Sequence, residues 1–211
     1  MIQLQHATKL YGTVIGVNDI TIDLEEGAYG LLGPNGSGKT TLLNLITGQL
    51  SPSMGSVRLL DVEISRDQRA LSQVGVCPAM DLLPIAVNGI DWVQYMTRLY
   101  GFSAREAEER ASAALDLVGL GDARHRQIAG YSRGMKQRVK LAQAIAHEPQ
   151  LLILDEPFSG LDPVARHDMT TFLREWVSRG KSVLMASHIL HEVEAVAEHY
   201  LLIYGGRLLA S

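Results

Sequence analysis

Glycine, lysine and hydroxyl side chains occur together in one stretch at a spacing that can hold phosphate: Gly33-Pro34-Asn35-Gly36-Ser37-Gly38-Lys39-Thr40-Thr41. The stretch fits the pattern G-x-x-x-x-G-K-[ST] of a phosphate-binding loop. Its glycines let successive backbone N–H groups converge on a phosphate, and Lys39 can reach the terminal phosphates. Thr40 offers a hydroxyl oxygen, the kind of hard ligand that Mg²⁺ takes. These residues therefore predict a site for a nucleotide and its magnesium ion.

The sequence on either side predicts the strand and the helix that such a loop needs. The apolar run 28–32 is short enough for a buried strand. After the loop, apolar residues repeat at helical spacing until Gly48: Leu42, Leu43, Leu45 and Ile46. The N-terminus of that helix would add its partial positive charge to the phosphate site. A glycine-rich turn before a core helix is the alternative, but this context favours nucleotide binding.

Two carboxylates follow a second apolar run, residues 151–154, which is typical of a strand buried on both faces of a parallel sheet. Asp155 and Glu156 would then lie beyond the carboxyl end of that strand, where ligands bind in this class of fold. Asp155 can hold Mg²⁺, and Glu156 can accept a proton from an attacking water. The alternative is a solvated turn, which the phosphate-binding loop makes less favourable. His188 follows another predicted strand, 182–186, and can bond a terminal phosphate.

A second candidate anion site lies in the segment Tyr131-Ser132-Arg133-Gly134-Met135. Ser132 is a good N-cap for a helix with an apolar face made of Met135, Val139, Ala142 and Ala146. A serine cap and a glycine at a helix N-terminus can bind an anion. A capped, basic surface helix explains the same residues, so on the pattern alone both interpretations stay open.

Periodicity along the rest of the chain predicts an α/β protein. Residues 2–27 alternate as short strands of a half-exposed antiparallel sheet, and residues 55–60 form a further candidate strand. Residues 84–127 keep helical spacing, and Ser103 with Glu106 forms a capping box. The helix after His188 carries a predicted solvated acidic face: Glu192, Glu194 and Glu198.

Composition narrows the classes of function. The formal net charge of −4 argues against a broad nucleic-acid-binding face. The single cysteine, Cys77, cannot form an internal disulfide, which suits a reducing cytoplasm, and is expected in the core. The N-terminus has no pattern of a signal peptide, and no apolar run approaches the roughly 18 residues that span a bilayer. If this protein works at a membrane, we therefore expect it to do so through a partner.

Taken together and in this order, these motifs resemble the nucleotide-binding subunit of an ATP-binding cassette (ABC) transporter, over essentially the whole chain. The most specific part is the segment 131–135, which we call the signature segment. The resemblance implies an α/β fold with a P-loop NTPase core, a mainly parallel sheet flanked by helices, an N-terminal antiparallel β subdomain and an α-helical insertion subdomain. It implies one ABC ATPase domain over 1–211, with the ATP-binding core at 1–83 and 148–211 and the helical subdomain at 84–147.

The resemblance also implies roles for individual residues. Tyr11 becomes the aromatic side chain that stacks on adenine, and Ser132 and Gly134 contact phosphate. Lys39, Glu156 and His188 become catalytic, with Glu156 as the base and His188 as the switch histidine. Thr40 and Asp155 become ligands of Mg²⁺, and Asp162 belongs to the segment 159–162 that crosses to an opposite subunit. ATP would be bound by the loop residues Asn35, Gly36, Ser37, Gly38, Lys39, Thr40 and Thr41.

Family resemblance further implies an assembly. Two nucleotide-binding domains would pair head to tail, as a homodimer or a heterodimer, with each ATP between the loop of one and the signature segment of the other. Closing on ATP and reopening after hydrolysis would drive a separate transmembrane permease. The chain would then be cytoplasmic, peripheral at the inner face of the cell membrane, with no nucleic-acid partner. The signature segment and the helix ending at Gly101 look most like ABC-2-type exporters.

Two departures from the family pattern affect the expected chemistry. The usual signature is Leu-Ser-Gly-Gly-Gln, whereas here Arg133 replaces the first glycine and Met135 the glutamine. After a predicted strand near 74–76, the family carries a glutamine that meets Mg²⁺ and the attacking water, whereas this chain has Ala79. Alanine has no donor or acceptor to offer. We expect ATP binding to survive and hydrolysis, or its coupling to transport, to be weakened.

Two other functions compete with a transport ATPase. A regulatory or weakly hydrolytic nucleotide-binding module is kept open by Ala79, although Glu156 and His188 speak against it. The second is a soluble ABC ATPase that acts on nucleic acid or the ribosome. The negative net charge and the lack of a second cassette or a coiled-coil insertion argue against it.

Overall fold

Two β-sheets and six α-helices make up the computed structural model, which describes residues 1–64, 67, 69–80 and 82–210. In chain order the strands are β1 (Ile2–Tyr11), β2 (Val14–Leu24), β3 (Ala28–Leu32), β4 (Met54–Leu59), β5 (Val62–Glu63), β6 (Val74–Cys77), β7 (Leu151–Asp155), β8 (Ser182–Ser187), β9 (His199–Tyr204) and β10 (Arg207–Ala210). The helices are α1 (Lys39–Ile46), α2 (Gly89–Arg98), α3 (Ala104–Leu117), α4 (Arg133–Ile145), α5 (Pro163–Ser178) and α6 (Leu190–Glu194).

The N-terminal strands β1 and β2 pair in an antiparallel sheet, as predicted, and β4 and β5 extend it in the order β2-β1-β4-β5. The prediction of short strands was wrong, because β1 and β2 have 10 and 11 residues. Their pairing shifts register between Leu4 and Ala7, where His6 and Asp19 both adopt positive φ and bond each other at 2.8 Å. These irregularities break the alternation of the sequence into pieces that look like separate strands.

The larger sheet has the order β10-β9-β3-β8-β7-β6, and only its edge strand β10 runs antiparallel. Every residue of β7 and β8 is buried, as the apolar runs predicted. Alternate residues of these strands point to opposite faces: Leu152 and Leu154 join the core beneath the helices, whereas Leu151 and Ile153 join the core beneath α1 and the antiparallel sheet. The structure therefore confirms the predicted α/β layers.

Helices α2, α3 and α4 pack on one another in the region predicted to be helical. The capping box is confirmed, since Ser103 Oγ accepts from the Glu106 N–H and the Glu106 carboxylate accepts from the Ser103 N–H. Helix α4 also packs against strand β6. The division of the chain into a core at 1–83 and 148–211 and a helical subdomain at 84–147 stays a prediction. None of the helices in the described ranges is long and apolar enough to cross a bilayer.

Candidate functional site

The candidate residues meet at one edge of the larger sheet because their strands are parallel and in register. Leu32, the last residue of β3, pairs with Ser187, and Asp155 pairs with Ala186 one position earlier on β8. Cys77 of β6 pairs with Leu154 in the same way. The segments that follow these strands therefore leave the sheet side by side, and they carry the phosphate-binding loop, Glu156, Ala79 and His188.

The phosphate-binding loop approaches both sheets closely through two glycines, Gly38 next to β2 of the antiparallel sheet and Gly33 next to β9 of the larger sheet. Gly38 has φ +108°, a conformation that side chains rarely adopt, and a Cβ there would lie 2.5 Å from the carbonyl oxygen of Gly16. A Cβ on Gly33 would lie 2.3 Å from the carbonyl oxygen of Ile203. Only glycine fits these close approaches. The loop then leads directly into α1, whose N-terminal N–H groups and dipole favour an anion.

Lys39 is almost fully buried, and the loop holds its ammonium in the site. Its Nζ donates to the carbonyl oxygen of Gly33 at 2.7 Å and to that of Pro34 at 3.3 Å. The same atom lies 3.6 Å from Glu156 Oε1. A phosphate entering the loop would find this cation already in place, and the carbonyl bonds position it for that contact.

Asp155 and Thr40 form a candidate cation site. Thr40 Oγ1 donates to Asp155 Oδ2 at 2.7 Å. Burial raises the pKa of the Asp155 carboxyl, and the Thr40 hydrogen bond with the charges of Lys39 and Lys140 opposes this rise. The buried Oδ1 atom has no hydrogen-bond partner among the described residues. An unsatisfied carboxylate oxygen beside a hydroxyl suits Mg²⁺, which takes its other ligands from phosphate and water.

Glu156 lies between two basic side chains. Besides Lys39, its carboxylate contacts His188 Nδ1, at 3.0 Å from Oε1 and 2.9 Å from Oε2. Its backbone has φ +50°, a strained conformation for glutamate that aims the side chain into the site rather than along the strand direction. The Glu156 side chain stays partly exposed, at 18% of its accessible surface, so a water molecule can reach it.

A buried network behind His188 was missed by the sequence analysis. Glu192 is 4% exposed, which makes the prediction that it belongs to a solvated acidic face wrong; Glu194 and Glu198 are exposed as expected. Glu192 accepts from Ser187 Oγ at 2.7 Å and pairs with Arg166 Nη1 at 3.0 Å. Ser187 Oγ accepts in turn from the Ile189 N–H at 3.1 Å. The network fixes the backbone on both sides of His188.

Tyr11 ends β1 beside the phosphate-binding loop. Its hydroxyl lies 3.5 Å from Thr41 Oγ1, and 45% of the residue is exposed. A Cβ on Gly16 would lie 2.7 Å from the Tyr11 ring, so glycine leaves room for the ring to lie there. An exposed aromatic face next to the loop is available for stacking on a base, and its role in binding adenine stays a prediction.

The signature segment is organised as a helix cap, as predicted. Ser132 Oγ accepts from the Met135 N–H at 3.2 Å and begins α4. No hydrogen bond in the described part of the chain joins Ser132 or Gly134 to the phosphate-binding loop of the same chain. Arg133 reaches the segment 159–162 instead, where its Nη2 donates to Ser159 Oγ at 2.9 Å. Asp162 caps α5, since its Oδ1 accepts from the Ala165 N–H at 2.9 Å.

Ala79 lies in a cavity of about 160 Å³ that also borders Thr40 and Asp155. Its methyl group leaves this wall of the site without a polar side chain at the position where the family carries glutamine. Cys77, two residues earlier, is buried in the core as predicted.

Comparison with known proteins identifies the kind of chain that carries this site. Residues 17–159 match the ABC transporter family. The chain is 36% identical over 212 residues to the Nod factor export ATP-binding protein I of Cupriavidus pinatubonensis, a match that covers 100% of this chain and 65% of that protein. It is 36% identical over 209 residues to an uncharacterized ABC transporter ATP-binding protein of Bacillus subtilis, covering 99% of this chain and 69% of that protein.

Solved structures agree on the fold. An ATP-binding cassette, determined as a dimer in a post-hydrolysis state bound to ADP and Pi, superposes with a TM-score of 0.92 at 22% identity. That match covers 100% of this chain and 97% of the other. A structure described as the ATP binding subunit of an ABC transporter gives a TM-score of 0.90 at 27% identity, covering 100% of this chain and 88% of that one.

Proposed function

The chain belongs to the ABC transporter family of ATP-binding, ATP-hydrolysing subunits, and from that premise we propose that it powers export through a separate membrane permease. The observation that carries the proposal is the arrangement of Glu156. Its carboxylate lies between Lys39 and His188, next to the pair Thr40 and Asp155, at the mouth of the phosphate-binding loop. A proton acceptor, a phosphate-binding cation and a candidate metal pair thus meet in one place.

The proposed reaction follows from these contacts. The γ-phosphate of ATP takes over the ammonium of Lys39 from the carbonyl oxygen of Gly33 and from Glu156. Water, oriented by the Glu156 carboxylate, attacks the γ-phosphorus; its proton passes to Glu156, and the bond to the β-phosphate oxygen breaks to release ADP. His188 donates from its ring to an oxygen of the transferred group. Mg²⁺, held by Thr40 and Asp155, would supply charge neutralisation on the phosphates.

We further propose that each ATP-binding site is completed by a second cassette. Ser132 and Gly134 form an anion site that makes no hydrogen bond to the chain's own phosphate-binding loop, so a loop from another copy, or from a related subunit, suits it. The related cassette that was solved with ADP and Pi is itself a dimer. ATP would join the two subunits, and hydrolysis would weaken their contact.

The transport role draws on the relatives. The protein from Cupriavidus pinatubonensis is named for export of Nod factor, and this chain shares its ATP-binding region. We propose that this subunit works at the cytoplasmic face of a membrane, attached to a permease that carries the substrate path. A weakly hydrolytic module is the second candidate, favoured by Ala79 alone.

Steady-state ATP hydrolysis tests the proposal, with wild type compared with Glu156→Gln and with the matched surface variant Glu194→Gln. Wild type and Glu194→Gln should hydrolyse ATP at the same rate. Glu156→Gln should lose hydrolysis by about a hundredfold or more, as expected for removal of a general base, while still binding a fluorescent ATP analogue. Equal rates in wild type and Glu156→Gln would overturn the assignment of Glu156.

A further inference from the structure

Lys140 is a buried lysine that the proposed reaction does not use. It lies on α4, is 3% exposed, and donates from Nζ to the carbonyl oxygen of Pro78 at 2.9 Å and to that of Ala79 at 3.3 Å. Lysine is almost never fully buried unless its charge is compensated, because removing an ammonium from water is costly. The two hydrogen bonds join this buried ammonium to the segment 78–80, which we call the Ala79 loop.

The Ala79 loop borders the reaction site but has lost its polar side chain. It leaves β6 at Cys77 and lines the same cavity as Thr40 and Asp155. Because Ala79 carries only a methyl group, the loop cannot use that side chain to hold itself against nucleotide or metal. Its carbonyl groups are instead bonded from the opposite side, by α4.

Helix α4 joins two parts of the candidate site. It begins at Ser132 in the signature segment and carries Lys140 about two turns later. Helix α4 also packs on β6, the strand from which the Ala79 loop departs. A displacement of the signature segment along or about α4 would therefore move the ammonium of Lys140 and, through it, the Ala79 loop.

We propose that Lys140 is a positioning residue that anchors the Ala79 loop to helix α4. Lys140 holds the backbone of this loop, whereas the family places a glutamine side chain from the same loop toward the nucleotide. The proposal rests on the function proposed above. Lys140 touches neither ATP nor water in this account; it acts through the carbonyl groups of Pro78 and Ala79. Its positive charge also opposes the rise in pKa that burial causes at Asp155.

Cys77 provides a readout of the loop that does not depend on ATP. It is the only cysteine of the chain, it is 1% exposed, and it directly precedes Pro78. A thiol reagent can modify it only when the end of β6 and the Ala79 loop open. The rate of labelling by an aromatic disulfide reagent, measured on the full chain without nucleotide, therefore reports how firmly the loop is held.

Two variants of Lys140 separate anchoring from packing. Lys140→Met keeps the length and apolar bulk of the stem but removes the donor, whereas Lys140→Gln is shorter but keeps a donor. If the hydrogen bonds matter, Cys77 should be labelled about tenfold or more faster in Lys140→Met than in wild type, because the variant loses charged hydrogen bonds to two carbonyl oxygens. Labelling should then be slower in Lys140→Gln than in Lys140→Met. If packing alone matters, Lys140→Gln will be the faster of the two, which would overturn the proposal.

Lys181 supplies a matched control. Its Nζ also donates to two consecutive carbonyl oxygens, those of Glu148 at 3.3 Å and Pro149 at 2.9 Å, beside the opposite ends of β7 and β8. In Lys181→Met, Cys77 should be labelled at the wild-type rate. A rise equal to that of Lys140→Met would mean a general loss of stability and would contradict the anchor.

Hydrolysis tests the consequence for the site. Lys140→Met should lower kcat about tenfold and leave the KM for ATP within about twofold, because a displaced loop disturbs the reacting groups rather than the bound nucleotide. An unchanged kcat alongside faster labelling would overturn the role in the reaction. If wild type hydrolyses no ATP, the proposed function fails. The order of the Cys77 labelling rates among the variants still decides whether Lys140 anchors the loop.

Discussion

At the scale of single residues, the contacts of the Glu156 carboxylate are central to the proposed reaction. This carboxylate contacts both Lys39 and His188, so the negative charge of Glu156 lies next to the ammonium of Lys39. Phosphate would compete for Lys39 and release the carboxylate toward water. The strained φ of Glu156 fits the role proposed for it, since residues in strained backbone conformations cluster at functional sites.

Ala79 allows a gain-of-function prediction. Ala79→Gln should raise kcat by about fivefold, because a side-chain amide in the cavity beside Thr40 and Asp155 adds a hydrogen bond worth about 1 kcal/mol. Steady-state ATPase assays at saturating ATP and Mg²⁺ measure the change. Met54→Gln places the same side chain on an exposed residue of β4 that does not line this cavity, and it should leave the rate unchanged. No gain in Ala79→Gln would show that the missing glutamine does not limit hydrolysis.

At this scale, sequence patterns led to residues that the structure brings together. The phosphate-binding loop predicted Lys39 and Thr40, and the acid pair after an apolar run predicted Asp155 and Glu156, because each motif is contiguous. Lys140 could not be found in this way. Its partners are carbonyl groups of residues 78 and 79, and backbone carbonyls occur everywhere in a chain, so no residue type marks them.

At the scale of elements, α6 is tied to α5 through one buried carboxylate. Glu192→Ala should lower the free energy of unfolding by about 2 kcal/mol, because it leaves the Ser187 hydroxyl and the half-buried Arg166 guanidinium without their acceptor. Urea unfolding monitored by circular dichroism measures the loss. Glu194→Ala, on the exposed side of the same helix, should stay within about 0.5 kcal/mol of wild type. Equal losses in both variants would contradict the network.

His147 contacts strand β6 and Tyr100, and we expect it to make stability depend on pH. It follows α4, its Nε2 lies 3.2 Å from the carbonyl oxygen of Val74, and its ring stacks on Tyr100 at 3.7 Å. Burial lowers the pKa of His147 from 6.5 to about 4. Between these pH values the His147 ring binds a proton in the unfolded chain but not in the folded chain. The free energy of unfolding therefore falls as pH drops from about 6.5 toward about 4.

The size of this effect can be measured against a variant. Between about pH 7.5 and about pH 5, wild type should lose about 2 kcal/mol more stability than His147→Gln. Urea unfolding at both pH values gives the difference. His125→Gln, at an exposed histidine, should keep the wild-type pH dependence. Parallel pH curves for wild type and His147→Gln would show that His147 titrates normally in the folded protein.

Helix caps and burial show what sequence could and could not predict about elements. Ser103 with Glu106 and Ser132 mark helix starts by contacts within three residues, so both were predicted. Glu192 was misassigned because its burial depends on Arg166 and Ser187, which approach only after α5 and β8 have packed. A charged residue at helical spacing looks the same in either environment.

At the scale of the whole molecule, the parallel sheet explains why one chain can build this site from distant segments. Strands β3, β6, β7 and β8 end at a common edge, and an antiparallel sheet with α1 covers one face while helices cover the other. The alternation of Leu151 to Leu154 between the two cores fixes the register of β7. That register in turn sets Asp155 beside Thr40 and Glu156 beside His188.

The ATPase rate of wild type as a function of chain concentration decides whether two cassettes form the active species. We expect that they do, because in the described ranges the signature segment makes no hydrogen bond to the phosphate-binding loop of the same chain. The rate per chain should then rise with concentration and level off, and Ser132→Arg, which obstructs the second anion site, should remove the rise. A rate per chain that is constant over the whole range, and equal in Ser132→Arg, would contradict hydrolysis between paired subunits.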